Sequence, residues 1–150
     1  MNLVFDTSVW VDDLRHGTLR FLLPRIRGRC FLWFDSVAAA ELLAGCRTRA
    51  ERRLVSRLLS PFERAGRVLS PSHRDYRRAA DAVSRLRVSG QTLRNPGAAM
   101  PDALQAADAL RIGALLVTRN DSDFRKLARH LPVSVQSFDE FRRSVSRDST

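Results

Sequence analysis

PDALQAADALRIGALLVTRNDSDF, residues 101–124, decides the fold. Pro101 stands where a first helical turn tolerates a missing N–H. A helix over 102–113 follows, and Gly113 closes it. The chain then enters ALLVT (114–118), a compact apolar run of strand length. RNDSDFRKLARH (119–130) turns at once into another short helix. A helix feeding an apolar strand that feeds a helix is the rhythm of an α/β domain. Such a domain has a mostly parallel sheet covered on both faces.

Reading outward extends the rhythm. Leu3–Phe5 form a short buried strand, and Phe31–Phe34 form a second apolar run, a strand or the start of a helix. A helix follows over Ser36–Gly45, with Ser36 as N-cap and Gly45 as stop. RTRAERRLVSRLLSPF (47–62) keeps a helical period through Leu54, Leu58 and Leu59, until Pro61 breaks or kinks it. Val68 and Leu69 suggest a brief strand. A long helix then presents Tyr76, Ala79, Ala80, Val83 and Leu86 on one stripe and ends at Gly90. Residues 91–101 form a loop, VSVQSF (133–138) gives a last strand, and the chain after Phe141 frays. The expected organisation is one domain over residues 1–143 with a tail over 144–150, with no internal repeat. In open parallel sheets, sites lie beyond the carboxyl ends of the strands. Asp6 follows the first strand, and Asn120, Asp121 and Asp123 follow the ALLVT strand.

Composition narrows the function classes. The chain has 150 residues, 44% hydrophobic and 28% charged, which fits a folded core and not a disordered segment. No apolar run suits a membrane span, and the N-terminus lacks the pattern of a signal peptide. Cys30 and Cys46 have no zinc spacing and read as core thiols in a reducing cytosol. His16, His73 and His130 are scattered and read as surface or structural residues. Lys and Arg total 26 against 16 acids, a formal net charge of +10, and Lys126 is the sole lysine. An Arg-rich basic domain suits a polyanionic partner through bidentate phosphate contacts. The bland alternative is genome composition with merely solvated positive faces.

Against that background the carboxylates stand out. Asp6 could cap the helix that follows it, as could Ser8. Asp102, Asp121 and Asp123 open helices, where the dipole favours an acid by ~0.3–1 kcal/mol. Glu41 has no such excuse. It sits in SVAAAELLAG (36–45) with Val37, Ala38, Ala44 and Gly45 on its helix face. A carboxylate buried there without a partner would cost several kcal/mol. If these acids converge they repel and raise one another's pKa, and a divalent cation is the simplest remedy. All-oxygen ligands favour Mg²⁺ or Mn²⁺ over zinc. Such an ion activates water and stabilises charge on a phosphodiester.

FDTSVWVD (5–12), AAAELLAG (38–45), PDALQAADAL (101–110) and LVTRNDSDF (116–124), in that order, resemble the PIN-domain family, and within it the VapC-type ribonuclease toxins. The resemblance implies a three-layer α/β/α sandwich and a Mg²⁺-dependent endoribonuclease, Mn²⁺ also serving. It implies a catalytic quartet of Asp6, Glu41, Asp102 and an acid of the TRNDSDF segment. Asp123 is favoured there, with Asp121 as second candidate ligand. Thr7, Ser8, Thr118 and Asn120 match supporting polar positions, while Asp12, Asp13 and Asp108 read as solvated or supporting. It further implies an RNA substrate, a homodimer and a cognate VapB-like antitoxin that blocks the site. A larger assembly would bind operator DNA through that antitoxin. Arg47, Arg49, Arg52 and Arg53, near the Glu41 helix, are the candidate phosphate contacts. Leu42 and the 50–59 helix offer an apolar groove for the antitoxin segment whose Arg or Lys enters the acids. Two rivals remain. A haloacid-dehalogenase-like phosphohydrolase would need a second acid where Ser8 stands. A PIN-like module that binds nucleic acid or protein without cutting needs no intact quartet.

Overall fold

Leu3, Val4 and Phe5 are fully buried, so β1 (Asn2–Phe5) can only be an interior strand with both faces covered. The structure, a computed structural model, describes residues 1–147. β1 pairs in parallel with β2 (Phe31–Asp35) through Leu3 and Leu32, and with β4 (Leu115–Thr118) through Leu3 and Leu115. β3 (Val68–Leu69) adds to β2, and β5 (Ser134–Ser137) adds to β4. The order β3-β2-β1-β4-β5 is parallel throughout. The chain winds one way from β1 to β3, then crosses back to β4. The order therefore reverses between β1 and β4, which opens a crevice at their carboxyl ends.

Helices cover both faces, giving the three-layer α/β/α sandwich. On one side α1 (Thr7–His16), α2 (Leu23–Ile26), α3 (Ser36–Gly45), α4 (Arg49–Arg64) and α8 (Phe138–Arg147) pack on Leu3 and Phe5. Trp10 anchors that layer. It stacks on Phe34 at 4.5 Å between ring centroids and donates its indole N–H to the Phe5 carbonyl at 3.0 Å. On the other side α5 (His73–Val88), α6 (Ala99–Arg111) and α7 (Asp121–Ala128) pack on Val4 and Leu116. Alanines 103, 106, 107 and 109 let α6 lie close against its neighbours. Gly113, at φ +62°, makes the left-handed turn from α6 into β4. Cys30 and Cys46 pack half-buried against the first layer.

Several local readings change. Asp35, not Ser36, caps α3, its side chain accepting from the Val37 N–H at 2.7 Å. Gly45 belongs to the helix and Cys46 follows it in extended backbone. Pro61 does not end α4, which runs to Arg64 from a capping box of Thr48 and Glu51. On α5, Tyr76 and Ala80 are exposed, while Asp75 and Ala82 join Ala79, Val83 and Leu86 inside. The stripe is turned because α5 buries Asp75 toward Arg111 of α6, at 3.0 Å. Loop residues 96–98 form a short 3-10 turn, and α6 begins at Ala99, two residues before Pro101. The frayed end after Phe141 is instead helix α8, because Phe138, Phe141 and Val145 recur at helical spacing and are buried. Of the expected tail, residues 144–147 are helical and 148–150 lie outside the described residues.

Candidate active site

Asp6 leaves β1 in extended backbone, and its carboxylate makes no capping bond to α1. It faces the crevice. Its backbone N–H continues the ladder to Val117 at 3.0 Å, which fixes β1 against β4. Asp6 Oδ2 accepts from Ser8 Oγ at 2.5 Å and from Thr118 Oγ1 at 2.6 Å. Those hydroxyls are themselves oriented: Ser8 accepts from the Arg119 N–H at 3.0 Å, and Thr118 from the Asn120 N–H at 2.9 Å. Burial pushes the Asp6 carboxyl up, and the hydroxyl donors oppose this only in part.

Glu41 reaches the same place from α3. It is half-buried and not alone: Thr7 Oγ1 donates to its Oε2, and Gln105 Nε2 reaches that oxygen at 3.3 Å. Gln105 also donates to Thr7 Oγ1 at 3.1 Å and accepts from the Thr7 N–H at 3.2 Å. This fully buried glutamine thus ties α1, α3 and α6 together. The sequence reading passed over it. Its signal was a polar side chain one turn beyond Asp102 on an otherwise apolar helix face.

Asp102 differs from its neighbours. It is 7% exposed, and no donor among the described residues reaches its carboxylate. Burial, then the charges of Asp6, Glu41 and Asp123, push its pKa up to about 8. Asp123 is fully buried and fully occupied. It accepts from the N–H groups of Arg94 at 2.8 Å and Asn95 at 3.1 Å, and from Asn120 Nδ2 at 3.0 Å. Burial works to raise it, but the Arg94, Asn120 and Asn95 donors and Lys126 hold it below the usual range. Its carboxylate braces the 94–95 loop while projecting charge toward Asp102. Asp121 points away, ion-paired with Arg125 at 3.2 Å.

Asp6, Glu41 and Asp102 line one cleft of about 500 Å³ together with Thr7, Ser8, Arg94, Arg119 and Asn120. Arg119 is held by Asp12 at 2.6 Å and lies over the Phe138 ring at 4.5 Å. Asp13 accepts from the Leu19 N–H at 2.7 Å, closing the turn after α1. Asp108, expected to be solvated or supporting, is fully buried and bonded to Arg111 at 2.6 Å, outside the cleft. Arg47, Arg49, Arg52 and Arg53 are exposed at the start of α4. Beside them a groove of about 310 Å³ between α1, α3 and α4 shares Thr7, Val11 and Glu41 with the cleft and is walled by Leu42, Leu54 and Val55.

The carboxylates are not drawn into a finished coordination set: no three His, Cys, Asp or Glu among the described residues stand at metal-holding spacing. The donor set nevertheless suits a hard cation. Asp102 lacks any donor, and Asp6 and Glu41 each have only one oxygen engaged by the described donors. Mg²⁺ keeps several waters and needs only one or two protein carboxylates.

A parallel α/β/α domain with a carboxylate cleft where its strand order reverses is the class this fold and site define. The model of the PIN domain matches residues 3–130, and the chain belongs to that family. A search of the curated proteins found no relative. Among solved structures, the chain is similar to VapBC-1 from nontypeable Haemophilus influenzae, at 19% identity and TM-score 0.69, covering 91% of this chain and 98% of that one. It is similar to VapBC2 from Rickettsia felis, bound to a DNA fragment from its promoter, at 19% identity and TM-score 0.70, covering 92% and 99%. FitAcB from Neisseria gonorrhoeae gives 21% identity and TM-score 0.65, covering 90% and 96%. No described helix is long and apolar enough to cross a membrane.

Proposed function

We propose that this protein is a Mg²⁺- or Mn²⁺-dependent endoribonuclease and the toxin of a VapBC-type pair, working in the cytoplasm. The observation that carries this reading is Asp102: a nearly buried carboxylate with no donor among the described residues, in one cleft with Asp6 and Glu41 and in the field of Asp123, inside a strongly basic chain. Asp6, Glu41 and Asp102 would hold the ion. When bound, it would supply a nucleophilic water and offset charge on the phosphodiester. The chain's own residues do the rest. Ser8 and Thr118 fix the Asp6 carboxylate, and Thr7 and Gln105 fix Glu41. Asp123 sets the field at Asp102 and anchors the loop carrying Arg94. Arg94 and Arg119 line the cleft, within reach of substrate phosphates. Arg47, Arg49, Arg52 and Arg53 extend the positive surface beside it.

The purified protein is expected to cut RNA with Mg²⁺ or Mn²⁺ and to stop with EDTA, and Asp6→Asn is expected to fold normally and cut nothing. If the wild type leaves RNA intact with either ion, the reading fails and a binding module without catalysis takes its place.

The partner reading rests on the groove beside the cleft and on the similar VapBC structures. A VapB-like antitoxin would lay apolar residues against Leu42, Leu54 and Val55 and pass an Arg or Lys toward Glu41. A cation there competes with the metal for the same charge. The toxin would act as a homodimer, and its complex would reach operator DNA through the antitoxin. Expression of this chain alone should arrest growth, and co-expression of the neighbouring gene's product should restore it.

A further inference from the structure

Two further grooves lie away from the acids. They flank α2, with volumes of about 740 and 570 Å³. Arg20, Arg27 and Arg67 line the first, and Arg25, Arg142 and Arg143 the second. Among the described residues, no carboxylate lines either. Among the described residues, the one ion pair at these arginines is loose, Arg142 with Asp139 at 3.9 Å. Two large aromatics stand in this positive field. Phe21 is 75% exposed with the Arg20 guanidinium 5.8 Å from its ring, and Phe31 is 58% exposed with Arg67 at 5.3 Å. Phe31 pairs with Asn2 at the amino-terminal end of the sheet, opposite the carboxyl ends that hold Asp6. The face is therefore separate from the cleft.

Exposed rings amid guanidinium groups that outnumber the described carboxylates beside them are poor candidates for a core and poor candidates for self-association. A second copy would bring the same positive charge against itself. They match what single-stranded nucleic acid requires: a positive track for phosphates and π-faces for bases.

We propose that the α2 face is an anchoring surface for single-stranded RNA, with bases stacked on Phe31 and Phe21 and phosphates held by the flanking arginines. It rests on the nuclease reading for the identity of the polymer, and extends it. An RNA touching both ends of the sheet must run past a four-residue strand, roughly 13 Å. The anchor therefore serves long substrates, and a short oligonucleotide filling only the cleft does not feel it.

The test uses the full chain with fluorescent oligouridylate of increasing length. Phe31→Ala and Phe21→Ala should each weaken binding of long strands about tenfold, within the range for loss of one stacked base. Phe31→Trp should restore it. Arg20→Gln and Arg67→Gln should each lower the slope of log affinity against log salt by about one. KM for a long RNA should rise in the Phe variants with kcat unchanged, and cleavage of a short oligonucleotide should not change. Long-strand affinity unchanged in both Phe variants overturns the anchor. So does loss of self-association in Phe31→Ala with RNA binding intact, which would assign the face to a second copy. Phe-dependent RNA binding without cleavage would sink the nuclease reading and leave the anchor standing. Cleavage with Phe-insensitive binding would do the reverse.

Discussion

Asp102→Asn is expected to raise the melting temperature of the metal-free protein at pH 9 by several degrees and to abolish metal-dependent cleavage. The two effects share one cause. Asp102 is pushed up to about 8 by burial and by the charges of Asp6, Glu41 and Asp123. Its unfolded value is 3.8, so between these limits the folded state holds a proton that the unfolded state has lost. By linkage, this group's contribution to stability declines as pH rises through that window, and the full penalty is present above pH 8. Asparagine keeps the shape and removes the charge. The gain at pH 9 should be on the order of a few kcal/mol, and ~2–4 °C per kcal/mol is usual for a chain of this size. At pH 4 the two proteins should melt alike. With Mg²⁺ the order reverses: the wild type gains by binding, and the variant gains far less. Cleavage should fall by at least about 100-fold, the upper range for losing a mere outer partner of a metal ligand. A variant that melts below wild type at pH 9 without metal, or that responds equally to Mg²⁺, would remove Asp102 from the centre of the site.

The elements that frame this site were legible because their signals are local. Ala114–Val117 and Leu3–Phe5 are apolar throughout, as an interior parallel strand demands, and the structure makes both strands interior. Asp6 at a strand end and Glu41 in a small-residue helix were readable for the same reason. The rest depended on what lies across the sheet. Asp121 and Asp123 have the same local signature at a helix start. Only the 94–95 loop, far away in sequence, turns Asp123 inward, while Arg125 holds Asp121 outside. Gln105 looked inert until α1 and α3 brought Thr7 and Glu41 to it. α8 carries mostly polar residues and reads as frayed alone. Burial of Phe138, Phe141 and Val145 against the first layer makes it a helix. The buried pair of Asp35 and Asp108 was the least legible, because one ends β2 and the other lies within α6.

Asp35→Asn should flatten the fall in stability between pH 5 and 8 that this pair imposes on the wild type. Asp35 and Asp108 are both fully buried, and each acts on the other's carboxyl. Asp35 Oδ1 accepts from the Val37 N–H, and Asp108 Oδ1 accepts from Arg111 Nη2 at 2.6 Å. The remaining oxygen of each is buried without an ordinary donor. A single proton between them would satisfy both, as two neighbouring buried carboxyl groups cannot ionise together at low cost. Burial pushes Asp108 up as well, but Arg111 pulls it part of the way back, so the proton falls to Asp35, pushed up to about 8 by burial and then by the Asp108 charge. Asp75, bonded to the same Arg111, adds further negative charge and is held below the usual range: burial opposes this, but Ser72 and Arg111 outweigh it. The sign follows from linkage. Asp35 is raised above its value of 3.8, so folding holds an extra proton up to about pH 8, and stability falls with pH across that window. Asparagine can still accept from Val37 through Oδ1, and its Nδ2 can donate to Asp108 with no proton to lose. Urea titrations at pH 5 and pH 8 should therefore show the variant gaining on the wild type as pH rises, while Asp102 titrates identically in both. Parallel curves would refute the shared proton. Asp108→Asn should behave worse than Asp35→Asn, because it strips Arg111 of its shortest ion pair and offers it an amide. The pair also joins the cap of α3, which carries Glu41, to α6, which carries Asp102. Its ionisation at alkaline pH should loosen the spacing of two acids it never touches.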